Sequence, residues 1–220
     1  MTARAVPVVL VATSGPGKTT LARRLVEQSS RYVFSVSATT RRPRPGEREG
    51  IDYHFITRED FEEKVVAGAF AEWAVVHGQL YGTPRDEIDA AAGRGQHVVL
   101  DIDVQGARQI RESVPDATLI FVLPPSVGIM MARLVGRGTE DPADIAGRLR
   151  SAGQELQAVG EFEHVVVNDD LDECLAEIRT IVEGGGSGTS VTLVHDAEEF
   201  GATIARILEG NHYSATITSK

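Results

Sequence analysis

Short apolar runs alternate along this chain with longer stretches whose apolar residues recur every three or four positions. The run 6–11 is rich in β-branched residues and lacks polar alternation, a pattern typical of a strand covered on both faces. Further strands of this kind are expected at 97–100, 119–123 and 165–167. Helical patterns begin at Lys18 and cover 104–113, 126–137, 142–158 and 171–183. This alternation predicts an α/β fold with a central, doubly wound parallel sheet.

The stretch 34–85 departs from this alternation. It is rich in Arg, Gly, Thr and Tyr and predicts short strands with one helix, for which Thr57 is a candidate N-cap and Phe61 an inward-facing residue. We interpret it as an inserted substrate-binding subdomain. Residues 126–158 are interpreted as a helical lid, because their centre, 136–150, is rich in Arg and Gly. The remaining segments form the expected core: 1–33, 86–125 and 159–183.

The last part of the chain reads as an addition to this domain of residues 1–183. Residues 184–188 have the glycine and serine composition of a flexible linker. Beyond it, 189–220 forms an extension of unknown role, in which the pattern predicts a strand at 191–194, a helix at 197–209 and a further strand at 213–218. So short a segment holds little core of its own. It therefore either packs on the main body, pairs with another chain or is loosely ordered.

The charge of the chain constrains what it binds. A formal net charge of −10 argues against general nucleic-acid binding, which needs a basic face. Residues 41–48 nevertheless carry a local concentration of positive charge of the kind that an anion site requires. The arginines of this segment are Arg41, Arg42, Arg44 and Arg48.

Other features lead us to expect a cytoplasmic protein. No apolar run approaches the ~20 residues of a membrane helix, and the N-terminal run leads into a glycine loop instead of a signal-peptide cleavage site. Cys174 is the single cysteine, which excludes an intrachain disulfide and a zinc site built from cysteines. It lies in a helical pattern and is interpreted as a small buried hydrophobic residue.

A phosphate-binding loop follows the first predicted strand and opens the first predicted helix. In such a loop, backbone amides and the helix N-terminus face the phosphates, and the lysine adds a full positive charge. Here Lys18 supplies that charge, the Thr19 hydroxyl is a candidate Mg²⁺ ligand, and Pro16 offers no N–H. The predicted ATP-binding residues are Ser14, Gly15, Pro16, Gly17, Lys18, Thr19 and Thr20.

Two acids follow the apolar strand at 97–100. Asp101 ends the strand, a position from which a carboxylate can hold Mg²⁺ or its waters opposite a phosphate loop. A strand that ends in Asp is as often only a helix cap, and Asp103 can cap the helix that starts at Val104. Both interpretations stay open at this level.

The string FSVSATTRRPRPGE at 34–47, followed by Asp52-Tyr53-His54-Phe55, resembles the nucleotide-monophosphate region of the guanylate kinase family. The likeness continues in the family's order over about residues 6–183, through 71–73, 80–83, 100–106, 124–126, 136–140 and 167–170. The resemblance implies a P-loop NTPase fold and transfer of the terminal phosphate of ATP to GMP or dGMP in purine nucleotide metabolism. Mg²⁺ is the implied cofactor, held by Thr19 and Asp101, partly through water.

The resemblance also assigns site residues. The implied ligands of the GMP phosphate are Ser37, Arg41, Arg44, Tyr53 and Tyr81. Glu72 is implied to accept from guanine N1–H and the 2-amino group, Thr83 to reach O6, and Asp103 to add a contact on the amino side. The implied set of GMP-binding residues also includes Gly82 and Asp101. Arg137 and Arg148 are implied to close over the triphosphate, and the implied catalytic residues are Lys18, Arg41, Arg44, Arg137 and Arg148.

Two other functions use parts of the same sequence. A P-loop kinase acting on a sugar phosphate, such as a ribose bisphosphate, needs the phosphate loop but has no use for the set Glu72, Thr83 and Asp103. A non-catalytic scaffold of guanylate-kinase type typically loses the phosphate-loop lysine and the lid arginines, all of which are present here. The expected partners are small molecules, with no nucleic acid and no membrane. The sequence leaves open whether the chain is a monomer or a homo-oligomer.

Overall fold

A computed structural model describes residues 4–13, 17–76, 78–135, 142–184 and 191–209. The chain divides into two compact units, one formed by residues 1–9 and 22–118 and the other by residues 10–21 and 119–220. The strands are β1 (Val8–Ala12), β2 (Tyr32–Phe34), β3 (Ala38–Thr39), β4 (His54–Phe55), β5 (Phe70–Val76), β6 (Gln79–Pro84), β7 (His97–Asp101), β8 (Thr118–Leu123) and β9 (His164–Val167). The helices are α1 (Lys18–Gln28), α2 (Arg58–Val66), α3 (Arg85–Gly93), α4 (Val104–Ser113), α5 (Val127–Val135), α6 (Pro142–Leu156), α7 (Leu171–Val182) and α8 (Val191–Glu209).

A five-stranded parallel sheet has the order β2-β7-β1-β8-β9. Every residue of β1 is buried, so the apolar run at the start of the chain is confirmed as a strand covered on both faces. The three later strands and the four helical segments expected from periodicity also form, with bounds within about two residues of the prediction. The predicted α/β fold with a central parallel sheet is therefore confirmed.

A second sheet of four strands, in the order β4-β3-β6-β5, lies within the first unit. Its core contains the stacked rings of Phe61 on α2 and Phe70 on β5, whose centroids lie 4.4 Å apart. Gly82 on β6 faces both rings, because a Cβ there would lie 3.1 Å from each of them. The Thr57 hydroxyl accepts from the backbone N–H of Asp60, which confirms the predicted N-cap of α2.

The edge strand of this sheet, β5, is held by side chains of α4. The Gln109 amide accepts from the Trp73 N–H at 3.1 Å and donates to the Trp73 carbonyl at 2.9 Å. The Ser113 hydroxyl donates to the Ala71 carbonyl at 2.7 Å. These bonds satisfy backbone groups that an edge strand otherwise leaves to solvent. They also fix the distance between α4 and Glu72, which lies between Ala71 and Trp73.

In the second unit, β8 and β9 pair in parallel register, and Phe121 packs edge-on against Phe162 with centroids 5.2 Å apart. Cys174 on α7 is 1% exposed, and burial raises the pKa of its thiol to about 12. The interpretation of this cysteine as a small buried hydrophobic residue is confirmed. Within the described ranges, no helix is both long and apolar enough to cross a bilayer.

The C-terminal extension forms one helix, α8, from Val191 to Glu209, so the strand predicted at 191–194 is wrong. Four apolar and β-branched residues favour a strand locally, but here they continue the helix whose buried face packs on α6. Ala197 and Ile204 are each 1% exposed on that face. Of the three possibilities for the extension, packing on the main body holds for residues 191–209. The strand predicted at 213–218 lies outside the described residues.

Small residues bring α8 close to its neighbours. A Cβ at Gly153 of α6 would lie 3.7 Å from Cγ2 of Ile204, and one at Gly160 would lie 3.9 Å from Cγ1 of Val194. A Cβ at either position would meet α8 at ordinary van der Waals distance, so α8 runs close to the backbone at both of these glycines.

Ile204→Ala is expected to destabilise the second unit because it opens a cavity between α8 and α6. Removing a fully buried isoleucine side chain costs about 2–5 kcal/mol of unfolding free energy. The loss is smaller if α8 separates from α6 before the rest of the unit unfolds. Chemical denaturation followed by circular dichroism measures the loss. Ile207→Ala, at a half-buried position three residues further along the same helix, serves as the matched control and should cost clearly less. Equal effects of the two variants would contradict the packing described.

Candidate functional site

The first candidate site lies at the carboxyl end of β1, where the chain enters α1. Thr13 is buried there, and its hydroxyl donates to Sδ of Met130 at 3.6 Å. Gly17 has φ +83°, in the left-handed region that favours glycine, and a Cβ there would lie 3.3 Å from Nδ2 of Asn168. Its carbonyl accepts from the Leu21 N–H at 3.0 Å, which opens the helix.

This strand–loop–helix arrangement is the context that a phosphate-binding loop requires. Lys18, Thr19 and Thr20 occupy the first turn of α1, at the positive end of the helix dipole. Ser14, Gly15 and Pro16, which the sequence predicts to bind ATP, lie outside the described residues.

In the first unit, the Arg41 guanidinium is held by three groups. It donates to both carboxylate oxygens of Glu47 at 2.9 and 2.8 Å, to the Tyr81 hydroxyl at 3.1 Å and to the Arg42 carbonyl at 2.8 Å. The Arg41 side chain is only 15% exposed. The bond to Glu47 raises the pKa of Arg41 further above its usual value, and the same bond lowers the pKa of Glu47. These bonds engage four of the five guanidinium N–H groups and hold the guanidinium in one orientation, so an anion that binds through two N–H groups must replace one of these partners.

Two tyrosines complete the surroundings of this arginine. The Arg41 guanidinium lies 5.3 Å from the centroid of the Tyr53 ring, and the Tyr53 and Tyr81 rings meet edge-on at 5.9 Å. Burial raises the pKa of Tyr53, so its hydroxyl stays a proton donor at neutral pH. The structure therefore brings together three of the predicted phosphate ligands: Arg41, Tyr53 and Tyr81.

Glu47 is a site residue that was missing from the predicted set. Besides holding Arg41, it accepts from the Arg44 backbone N–H at 2.7 Å and so shapes the turn between the two arginines. Its place within the string at 34–47 was the available signal, but the pattern does not say which arginine it meets. Ser37 lies next to this region, where its carbonyl accepts from the His54 N–H at 2.9 Å.

A buried carboxylate lies further along the same sheet. Glu72 on β5 is 6% exposed and stands opposite Thr83 on β6. The Thr83 hydroxyl donates to Oε1 of Glu72 at 2.7 Å. Burial raises the pKa of Glu72 to about 7, and the nearby charge of Asp103 contributes in the same direction. In its ionised form, a buried carboxyl of this kind is a strong hydrogen-bond acceptor shielded from bulk water.

The two acids after β7 behave differently. Asp103 accepts from the Gly106 N–H at 2.8 Å and caps α4, so the capping interpretation is confirmed for this residue. Its negative charge is one cause of the raised pKa of Glu72. Asp101 is half-buried at the end of β7, and its charge contributes to the raised pKa of Tyr53. In the part of the chain that the structure describes, no group of three acidic, histidine or cysteine side chains is placed to hold a metal.

The predicted lid residues are placed only in part. Arg148 is half-buried on α6, between the buried residues Ala146 and Leu149. Arg137 lies outside the described residues. Gly82 packs against Phe61 and Phe70, and this contact explains the absence of a side chain at that position without reference to a ligand.

Comparison with known proteins gives one consistent result. The guanylate kinase family model matches residues 4–184. The chain belongs to the guanylate kinase family. It is 52% identical over 176 residues to the guanylate kinase of Anaeromyxobacter dehalogenans, covering 79% of this chain and 78% of that protein. It is 46% identical over 178 residues to the guanylate kinase of Dechloromonas aromatica, covering 81% and 88%. The crystal structure of guanylate kinase from Anaplasma phagocytophilum is 33% identical, with a TM-score of 0.63 over 82% of this chain and 85% of that one.

Membership of the guanylate kinase family settles the class of protein. The chain is an enzyme with the P-loop NTPase fold and phosphotransferase function, as expected from the resemblance. Neither the sugar-phosphate kinase nor the scaffold alternative gains support from these matches. The family match ends at residue 184, so α8 lies beyond the matched region.

The raised pKa of Glu72 predicts a pH-dependent cost to stability in this guanylate kinase domain. The folded protein keeps the proton up to a pH of about 7, whereas the unfolded chain releases it near the ordinary value of 4.5. The contribution of Glu72 to stability therefore falls as the pH rises through this window. Glu72→Gln keeps an acceptor for Thr83 and removes the ionisation.

Relative to the unmodified protein, Glu72→Gln should gain on the order of 2–3 kcal/mol of unfolding free energy between about pH 4.5 and pH 8. Denaturant titration at both pH values measures the difference. Glu63→Gln, at an exposed position on α2, is the matched control and should show no comparable gain. A constant difference between Glu72→Gln and the unmodified protein at the two pH values would show that Glu72 ionises as an ordinary carboxyl.

Proposed function

We propose that this chain transfers the terminal phosphate of ATP to GMP or dGMP, with the guanine recognised by Glu72. The observation that carries the proposal is the pairing of the buried Glu72 carboxylate with Thr83, on the strand that also bears Tyr81. Tyr81 and Thr83 are two residues apart on β6 and so face the same side of the sheet, about 7 Å apart. One nucleotide bound along this strand could therefore place its phosphate beside Tyr81 and its base beside Thr83.

Guanine matches the acceptor that Glu72 offers. Its N1–H and 2-amino group are neighbouring donors, which a carboxylate accepts together. Adenine presents an unprotonated N1 at that edge and would leave the buried carboxylate unpaired, at a cost of about 1–3 kcal/mol or more. The chemistry of this one side chain therefore supports a preference for guanine.

Thr83 takes part by exchanging partners. Its hydroxyl has a single proton, which it donates to Glu72 in the structure described. When guanine donates to Glu72, this proton is released for the guanine O6. Asp103 remains bound to the N–H of Gly106 and contributes negative charge on the amino side. The exchange keeps the carboxylate and the hydroxyl satisfied before and after binding.

The GMP phosphate is received by the arginine and tyrosine cluster. Arg41 is already oriented by Glu47, and Tyr53 and Tyr81 add short O–H donors. Arg44 and Ser37 contribute from the same segment. An oriented cluster loses little side-chain entropy when the phosphate binds, which favours both affinity and alignment for transfer.

ATP is held by the loop that ends in Gly17 and by the first turn of α1. Lys18 carries the charge that faces the phosphates, and Arg148 and Arg137 neutralise charge on the group that moves. Phosphoryl transfer relies chiefly on position and electrostatic stabilisation, so the proposal needs no general base. Closure of the lid at 126–158 excludes water from the reaction.

Mg²⁺ suits the donors that this chain offers. The Thr19 hydroxyl lies in the first turn of α1, and the Asp101 carboxylate is half-buried at the end of β7. Both are oxygen donors of the kind that Mg²⁺ prefers, and an ion held by so few protein ligands keeps several waters. When bound, the ion neutralises charge on the phosphates of ATP. The cytoplasmic location stays a prediction of the sequence.

A coupled assay of ADP release tests this function directly. The purified chain is supplied with ATP and Mg²⁺ and with each of GMP, dGMP, AMP, CMP, UMP and a ribose bisphosphate. Activity confined to GMP and dGMP supports the proposal, whereas activity on the sugar phosphate alone, or on no acceptor, contradicts it. Lys18→Ala should remove turnover and keep GMP binding, while Lys64→Ala, at an exposed position on α2, is the matched control and should stay active.

Glu72→Gln should lower the preference for GMP over AMP. The amide replaces one acceptor by a donor, so it loses the guanine 2-amino group or N1–H and gains a bond to adenine N1. The ratio of kcat/KM for the two acceptors should fall by at least about tenfold, the effect of one hydrogen bond to a charged group. If the ratio is unchanged while Lys18→Ala is inactive, the enzyme reads its base elsewhere.

A further inference from the structure

Gly106 stands directly beside the carboxylate of Glu72. It is buried in the first turn of α4, and a Cβ built on it would lie 2.9 Å from Oε2 and 3.3 Å from Cδ of Glu72. Cβ atoms essentially never lie closer than 3.0 Å to a neighbouring heavy atom of this kind, so a side chain at 106 requires the end of the Glu72 side chain to shift. The third nearest atom, Cδ1 of Ile102, would lie at 3.3 Å.

The backbone gives no reason for glycine at this position. Residue 106 is helical, and its φ is outside the left-handed region, so alanine could adopt the same conformation. Alanine is also the better helix former. The glycine therefore weakens α4 locally, and the space that it leaves is occupied by Glu72.

The strand that carries Glu72 cannot move away from this helix. The Gln109 amide holds the backbone of Trp73 on one side of Glu72, and the Ser113 hydroxyl holds that of Ala71 on the other. With the backbone fixed on both sides, a methyl group at 106 would push the end of the Glu72 side chain. Such a shift costs the fold little, because the carboxylate ends a flexible side chain, but it moves the atoms that the proposed function uses.

We infer that Gly106 is a specificity-determining residue for guanine, acting through Glu72: the absence of a side chain at 106 holds open the space in which the carboxylate faces the base. The inference rests on the proposed function and deepens it. Gly106 is a positioning residue, since it contacts Glu72 and not the reacting atoms.

The test is Gly106→Ala, compared with the unmodified enzyme on GMP and on IMP, which lacks the 2-amino group. Displacing the carboxylate should raise the KM for GMP by at least about tenfold, the effect of one hydrogen bond to a charged group, and should bring the GMP:IMP ratio of kcat/KM towards one. The KM for ATP should stay within about twofold, and the unfolding temperature should be equal or higher, because alanine favours the helix. Gly201→Ala, in the middle of α8 with open space around its Cβ, is the matched control: it should leave the kinetic values for GMP, IMP and ATP unchanged, and it should likewise keep or raise the unfolding temperature.

A double-mutant cycle separates this inference from the proposed function. If Gly106 acts through Glu72, adding Gly106→Ala to Glu72→Gln should change the GMP:IMP ratio far less than it does alone. Suppose that Glu72→Gln lowers the preference for GMP but Gly106→Ala leaves the KM for GMP unchanged. This result would overturn the role of Gly106 and leave the proposed role of Glu72 intact. A common loss of GMP use, ATP use and unfolding temperature would show a purely structural role and also overturn it. If Glu72→Gln itself leaves the GMP preference intact, the proposed role of Glu72 in recognising the base is contradicted, and the inference about Gly106 loses its basis.

Discussion

Charged side chains can leave water only when the protein replaces the hydrogen bonds that they lose. In the first unit, β6 supplies one such bond to each of two ionisable side chains, since Thr83 donates to the buried Glu72 and Tyr81 accepts from Arg41, which Glu47 also holds. These two residues face the same side of one short strand. A slip of β6 by a single residue would turn both to the opposite face and leave two charges without these partners. In the proposed function, the register of this one strand would position the partners of both the base and the phosphate of GMP.

The sequence predicted best those features whose partners are neighbours in the chain. The apolar strands, the Thr57 cap and the alternative of Asp103 as a cap follow from local periodicity and short-range hydrogen bonds. The role of Gly106 could not be predicted in this way, because its neighbour Glu72 lies on another element and the spacing between them is set by Gln109 and Ser113. Contacts of this kind exist only once strand and helix have packed.

The C-terminal extension shows the opposite case, in which a local sequence preference is present but tertiary packing overrides it. The residues at 191–194 carry a genuine local preference for a strand, and that preference loses to the burial of Ala197 and Ile204 on α6. The family match ends at residue 184, so it includes α6 and does not include α8, which packs on it. Any change in the position of α6 must therefore carry α8 along or break this apolar contact.

The bond between Gln109 and the backbone of Trp73 also bears on how the chain behaves while it folds. Strand β5 forms the open edge of its sheet and exposes Trp73, Val75 and Val76, which is the pattern that invites edge-to-edge aggregation. The Gln109 amide offers Trp73 one acceptor and one donor, as a neighbouring strand would, and so occupies the place where another chain would pair. Until α4 has docked, this edge is uncovered. Docking of α4 therefore protects this edge at Trp73, while Val75 and Val76 stay exposed beside it.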